Sequence, residues 1–297
     1  MKVVKQCAAI DCAKKDMLVT FSVCDQDRNI THVTTRKFLI NDAGLKAFVK
    51  WVSKVHDRSL PFLFVIEATG VYHERVSNLL YDLRYPISIV FPKRAKDFSK
   101  TLQVKKINDR IASRYLATMG LERNLELWER PAKVYRSLRL LTRESEQLQG
   151  KITEVKNEME AEDYRLEENS SSLKRLKAEL KLLTKQKAEV LKEMKQVVDS
   201  DPDLKTKMEK IISIPGIGLL TAATIVAETF GFAKVANKRQ LVSYAGLDVI
   251  NQESGTSVHT KPRISKRGNR HIRRAVHMPA LASIRVGANK PLFVRIK

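Results

Sequence analysis

The chain has 297 residues, enough for two compact domains and a connecting element, and its 43% hydrophobic content excludes global disorder. Lys and Arg outnumber Asp and Glu by 55 to 33, a formal charge of +22 that self-repels unless a polyanion neutralises it. Nucleic acid is the leading partner, because neutralised phosphates release condensed counterions. A membrane is excluded as partner, since no apolar run approaches the roughly 20 residues of a span, and the start MKVVKQCAAIDC lacks a secretory pattern.

Taken in chain order, Val3–Ala13, Met17–Cys24 and Ile30–Ile40 are β-rich and predict a three-strand meander with turns near Lys14-Lys15 and Asp25–Arg28. Cys7, Cys12 and Cys24 are an odd count with no CxxC or nearby His to complete a zinc site. They read as free thiols of a reducing, cytoplasmic protein. Asn41-Asp42 offers an N-cap, and Leu45, Phe48, Val49, Val52 and Val55 follow at helical spacing. Pro61–Thr69 (PFLFVIEAT) reads as a buried strand, Tyr72–Leu83 as a helix, and Ile87–Phe91 as a strand stopped by Pro92. Helices are expected around Arg94–Leu102 and Asp109–Gly120. This order of elements gives an α/β layer with a mixed sheet over residues 1–130.

From 131 to 203 the composition shifts to Lys, Glu, Leu, Gln and Arg. Leu138, Leu141, Leu148, Ile152, Val155 and Met159, then Leu173, Leu176, Leu180, Leu183, Val190 and Met194, mark two long amphipathic helices. Glu167–Ser172 looks like the tip of an antiparallel hairpin. The stripes need a partner surface, so a dimerising coiled coil is favoured over a solvated spacer. Residues 204–297 form a third, mainly helical domain. Ile211–Glu228 resembles a helix end, a Pro215-Gly216-Ile217-Gly218 turn and a second helix. Arg239–Ala245 starts another helix, Ser254–Thr260 is a polar loop, and Gly268–Arg285 is a basic helix. From Thr256 to Lys297 there are eleven Lys or Arg and no acid, a local electrostatic footprint for nucleic acid. The chain stops soon after Phe293 without a capping signal, which suggests a missing C-terminal helix.

Asp11 and Glu67 each end an apolar strand, where a carboxylate costs several kcal/mol to bury unless paired or metal-bound. Asp109 follows at a helix start after Lys105-Lys106. Hard oxygen ligands of this kind bind Mg²⁺, which activates nucleophiles in phosphoryl transfer. On chemistry alone an equal alternative stands: Asp11 in a turn, Glu67 as a salt-bridged strand end, Asp109 as an N-cap.

AAIDCAKKD around Asp11, VIEATGVYHERV around Glu67 and PKRAKDFSKTLQVKKINDRIASRYLA around Asp109 resemble the DEDD-type insertion-sequence transposases related to the Piv DNA invertase, which are bridge-RNA-guided serine recombinases. IPGIGLLTAATIVAE, LVSYAGLD, ESGTS and PRISKRGNRHIRRAVHMPALA continue the resemblance in the second half. It implies a ribonuclease-H-like (Holliday-junction-resolvase-like) N-terminal domain, a coiled-coil insertion and a C-terminal transposase domain. It also implies Asp11, Glu67 and Asp109 as catalytic metal ligands, Ser254 as nucleophile with Ser257 as fallback, Mg²⁺ as cofactor, and DNA, a guide (bridge) RNA and a homo-oligomer (dimer or tetramer) as partners. The family's fourth acid falls on Ala112, followed by Ser113. Water or Ser113 then completes the shell, or the copy is inactivated. Asp97, the nearest spare acid, reads as a surface residue. By spacing alone Ser254 is a serine in a polar turn.

Lys261, Arg263, Lys266, Arg267, Arg270, Arg273 and Arg274 are the candidates for phosphate contacts, since Arg forks phosphate oxygens. The Pro-Gly-Ile-Gly turn resembles a helix-hairpin-helix, or is a plain interhelical turn. The expected activity is transposition: serine attack on a DNA phosphate with strand rejoining. A junction-cutting nuclease and a decayed nucleic-acid-binding relative are the alternatives.

Overall fold

The computed structural model describes residues 2–102, 108–165, 170–250, 253–254, 258–259 and 261–285. The chain divides into two compact units, Met1–Arg130 and Pro131–Lys297.

The first unit is built on a five-stranded sheet of order β3-β2-β1-β4-β5. β1 (Val3–Cys12), β2 (Asp16–Asp25) and β3 (Ile30–Leu39) form the expected antiparallel meander. β4 (Phe62–Glu67) then lies parallel to β1, and β5 (Ile87–Val90) parallel to β4. β1 and β4 are interior strands covered on both faces, which is why their sequences run apolar without alternation. Ala8, Ile10, Phe64 and Ile66 face one side, packed with Leu45, Phe48 and Val52 of α1 (Asp42–Val55) and Val76 and Leu80 of α2 (His73–Asp82). Cys7, Ala9, Leu63 and Val65 face the other, against Phe98 of α3 (Pro92–Thr101) and Leu116, Ala117 and Met119 of α4 (Asp109–Glu122).

α1 starts where the sequence says, with the Asn41 side chain accepting from the Gly44 N–H. α3 begins at Pro92, two residues earlier than expected from the residue pattern. The ring that ends the strand also has the φ a first helical turn wants and lacks an N–H that would be unpaired there. α4 presses unusually close to the sheet. A Cβ on Gly120 would meet Cys7 Sγ at 2.5 Å and Val65 Cγ2 at 2.6 Å, while Lys5 Nζ donates to the Gly120 and Leu121 carbonyls at the helix end.

In the second unit, α5 (Lys133–Asp163) and α6 (Ser170–Asp199) run antiparallel and join through Leu148, Ile152, Val155, Leu183 and Val190. The expected hairpin tip falls partly within α6, and 166–169 lie outside the described residues. α7 (Pro202–Ile212), α8 (Leu219–Glu228), α9 (Lys238–Ala245) and α10 (Arg270–Arg285) complete the helices. The expectation of a polar loop over Ser254–Thr260 is corrected. Its ends are strand-paired, β7 (Glu253–Ser254) with β8 (Val258–His259), beside a second pair, β6 (Val249–Ile250) with β9 (Arg263–Ile264). Two-residue strands carry no periodicity, so only the paired backbone reveals them.

Pro279 sits inside α10 and has no N–H for the Ala275 carbonyl four residues back. Thr221 of α8 supplies a hydroxyl to that carbonyl at 3.4 Å. Among the described residues no helix is long and apolar enough to cross a membrane.

Candidate metal centre and nucleic-acid interface

β1 and β4 pair in parallel with Ile10 opposite Ile66, so the next residues, Asp11 and Glu67, stand side by side at the same end of the sheet. Alternation puts both on the face that carries Cys7, Ala9, Leu63 and Val65, the face covered by α4. Asp109 opens α4, where Asn108 rather than Asp109 is the N-cap, its side chain accepting from the Ile111 N–H. Asp11 and Glu67 are half-buried, and among the described residues neither carboxylate has a hydrogen bond or an ion pair. Burial, then the neighbouring charge of Asp109, raises the pKa of Asp11 above its ordinary value. Burial, then Asp11, does the same for Glu67. All three sequence-predicted acids therefore share one electrostatic neighbourhood.

Glu67 also lines a cleft of about 390 Å³ between β4, α3 and α4, with Lys96, Ser99, Ala112 and Tyr115 among its walls. Ala112 and Tyr115 share the inward face of α4 with Leu116 and Met119, a spacing legible in the sequence but not read as a site. The Tyr115 hydroxyl is buried there without a partner among the described residues. Ser113 is not available to a metal in the way expected of it. It is fully buried, hydrogen-bonded to Thr20 Oγ1 at 2.7 Å and donating to the Arg110 carbonyl at 3.0 Å. Asp97 is exposed and pairs with Lys100 at 3.1 Å.

Among the described residues no three His, Cys, Asp or Glu side chains lie together closely enough to hold a metal. Asp11 and Glu67 nonetheless fit a hard cation. They are adjacent oxygen donors without counterions among the described residues, Glu67 opens on a cleft, and Mg²⁺ commonly takes one or two carboxylates and completes its shell with water and substrate phosphate. The cysteines offer nothing to it: Cys7 and Cys12 are buried, with thiols pushed up to about 12 by burial, and Cys24 is half-buried and free.

In the second unit the basic candidates divide by environment. Lys261, Arg263, Lys266, Arg267 and Arg270 are exposed. The Lys266–Gly268 turn is fixed on the end of α9: Gly246 there has φ 67°, and a Cβ on Gly268 would meet the Gly246 nitrogen at 2.4 Å. Arg273 turns inward, donating to the Ala245 and Gly268 carbonyls at 2.7 and 3.0 Å, and so braces that turn. Arg274 pairs with Glu146 of α5 at 2.8 Å. Ser254 lies in β7, and Ser257 lies outside the described residues. The Pro215–Gly218 turn leads into α8 with Gly218 at its N-cap.

A buried hub that sequence reasoning passed over is Glu228, at the end of α8. Its carboxylate accepts from Arg143 Nε at 2.8 Å and Nη2 at 3.2 Å, from Asn269 Nδ2 at 2.7 Å, and pairs with Arg139 at 3.4 Å. Burial alone would raise its pKa, but the Arg143 hydrogen bonds, the Arg139 charge and Asn269 bring it below its ordinary value. Asn269 in turn accepts from the His271 and Ile272 N–H groups, so the basic helix starts from this hub.

Two family models match this sequence: one described as Transposase over residues 8–162, and one described as Transposase IS116/IS110/IS902 family over residues 208–294. Both halves are thus those of a transposase. The chain belongs to the IS110 family of transposases. It is similar to the pilin gene-inverting protein of Moraxella lacunata, 26% identical over 275 residues, 92% of this chain and 81% of that one. The same protein of Moraxella bovis is 25% identical over 273 residues, with the same coverage. Among solved structures, the chain is similar to Thermus thermophilus RuvC in complex with Holliday junction substrate, with a TM-score of 0.31 and 9% identity over 41% of this chain and 99% of that one.

Proposed function

We propose that this transposase cuts and rejoins DNA, with a ribonuclease-H-like domain over 1–130, a coiled-coil hairpin over 131–203 that pairs copies of the chain, and a transposase domain over 204–297. The observation that carries the reading is the side-by-side placement of Asp11 and Glu67 at the ends of parallel strands, without a counterion among the described residues and with Asp109 within electrostatic reach. Asp11 and Glu67 would hold Mg²⁺, with Asp109 as the third acid nearby, and the ion would supply charge neutralisation at the scissile phosphate. Ser254 is the nucleophile. Its oxygen bonds to phosphorus as its proton leaves to solvent or a carboxylate, and the deoxyribose oxygen departs and takes up a proton. Attack by another strand's hydroxyl reverses these steps and rejoins DNA. Lys261, Arg263, Lys266, Arg267 and Arg270 position the backbone. Inversion activity in the two Moraxella proteins named for it agrees with cut-and-rejoin chemistry. Target choice falls to a guide RNA carried on the same basic surface.

The test is a reaction on labelled DNA with Mg²⁺ and the element's own RNA, comparing wild type, Ser254→Ala and Asp11→Ala. The expected result is a covalent protein–DNA adduct that both substitutions abolish. Cleavage that persists in Ser254→Ala identifies a metal-dependent nuclease instead. Ala112, on the cleft wall where a fourth acid is absent, favours a second reading as a binding-only relative. Intact DNA binding with no cleavage would select that reading.

A further inference from the structure

Between α5 and α10 lies a cleft of about 350 Å³ lined by Arg143, Glu146, Gln147, Gly150, Arg270, His271 and Arg274. Four of its side chains are cations or potential cations, from two helices far apart in sequence. Its floor is open for a specific reason. Gly150 is exposed in the middle of α5, and a Cβ there would touch nothing within 4 Å. Glycine is the least favourable residue inside a helix after proline, and no close approach of another element demands it at this point. Its absent side chain leaves open space in the cleft that Arg270 and Arg274 also line.

Glu146 is the one acid in the cleft. Its carboxylate is hydrogen-bonded to His271 Nδ1 through one oxygen and accepts from Arg274 Nη1 at 2.8 Å through the other. Arg143 is held from behind by Glu228, so its direction is fixed before any ligand arrives. Arg270 is exposed at the first position of α10, and its guanidinium has no hydrogen bond or ion pair among the described residues. Pairs of anionic oxygens, on carboxylate and phosphate alike, satisfy such donors in the same way.

We propose that this cleft receives a phosphodiester of a nucleic-acid backbone, and that Glu146 is a built-in competitor occupying the phosphate's place on His271 and Arg274 in the free protein. The site rests on the nucleic-acid reading above and deepens it. One wall comes from α5, where the sequence shows only a helix of a hairpin. A phosphate entering on Arg270 and Arg143 meets the Glu146 charge and must displace it. The acid therefore weakens general binding and leaves affinity for backbones whose neighbouring contacts hold the phosphate in place.

The test uses the full chain in EDTA, with fluorescence anisotropy on a labelled duplex DNA and an RNA duplex of matching sequence, over a range of NaCl. Omitting divalent metal makes the readout independent of cutting, so a chain that forms no DNA adduct still passes or fails on its own terms. Glu146→Gln is expected to tighten binding about fivefold, by removing a like charge from the phosphate's path. Gly150→Gln is expected to weaken it with the melting temperature kept or raised, since the added side chain enters open space and suits a helix. Arg274→Gln is expected to lower the salt slope by about one. A response to DNA alone, RNA alone or both supports the cleft and identifies the source of the phosphate. Wild-type affinity in both Gly150→Gln and Glu146→Gln, or weaker binding in a folded Glu146→Gln, overturns the proposal.

Discussion

Ionising Asp11 and Glu67 together at the ends of β1 and β4 works against the fold, because burial raises both pKa values, with a further rise from the Asp109 charge at Asp11 and from the Asp11 charge at Glu67. Between the ordinary carboxylate value and the raised one, the native state binds more protons than the unfolded chain. The stability these groups contribute is therefore present at low pH and lost as pH rises through their native values. Two outcomes follow for metal-free protein. Asp11→Asn should melt higher than wild type at neutral pH and show a flatter stability–pH curve, measured by circular dichroism. Added Mg²⁺ should raise the melting temperature of wild type but not of Asp11→Asn. Glu228 has the opposite sign. Its native value is lowered, so its contribution is present above the unfolded value and lost as pH falls through the native one. Truncating it strands the guanidinium groups of Arg139 and Arg143, and Glu228→Ala should cost about 3–5 kcal/mol in urea unfolding.

At the scale of elements, the convergence of Asp11 and Glu67 was legible because both strands are apolar up to their acid, and an apolar run marks an interior strand. The strand meander, α1 with its Asn41 cap and the start of α4 followed from similarly local signals. What escaped was non-local. Glu228 reads as the polar end of an apolar helix, and nothing near it announces Arg143, 85 residues away. The Glu146–His271 contact spans 125 residues. Ser113 looked exposed to the site because it follows Ala112, but one residue along a helix is a turn of about 100°, which carries it to Thr20 on β2. Gly120 could be taken for an ordinary helix end, yet it sets how near α4 comes to β1 and β4. Gly120→Ala gains helix propensity of about 1 kcal/mol, against an overpacking cost of about 1–3 kcal/mol where Cys7 and Val65 are fully buried. Net destabilisation is expected, read as a lower urea midpoint with unchanged m-value.

At the scale of the molecule, each unit has its own core. The clusters around Phe64 and Leu116 draw on residues before 131, and those around Leu138, Ile152 and Ile225 on residues after it. A fragment of residues 1–130 should therefore unfold cooperatively by itself and retain the Mg²⁺-dependent rise in melting temperature. Absence of that rise in a folded fragment would show that the carboxylates need something from the second unit. Thr221 and Pro279 add a mechanical point. A hydroxyl that answers the one carbonyl a proline leaves open works only at a single alignment of α8 with α10, like a tooth in a notch. A load applied through the arginines of α10 would then pass into the body of the second unit and would not slide that helix along its neighbour.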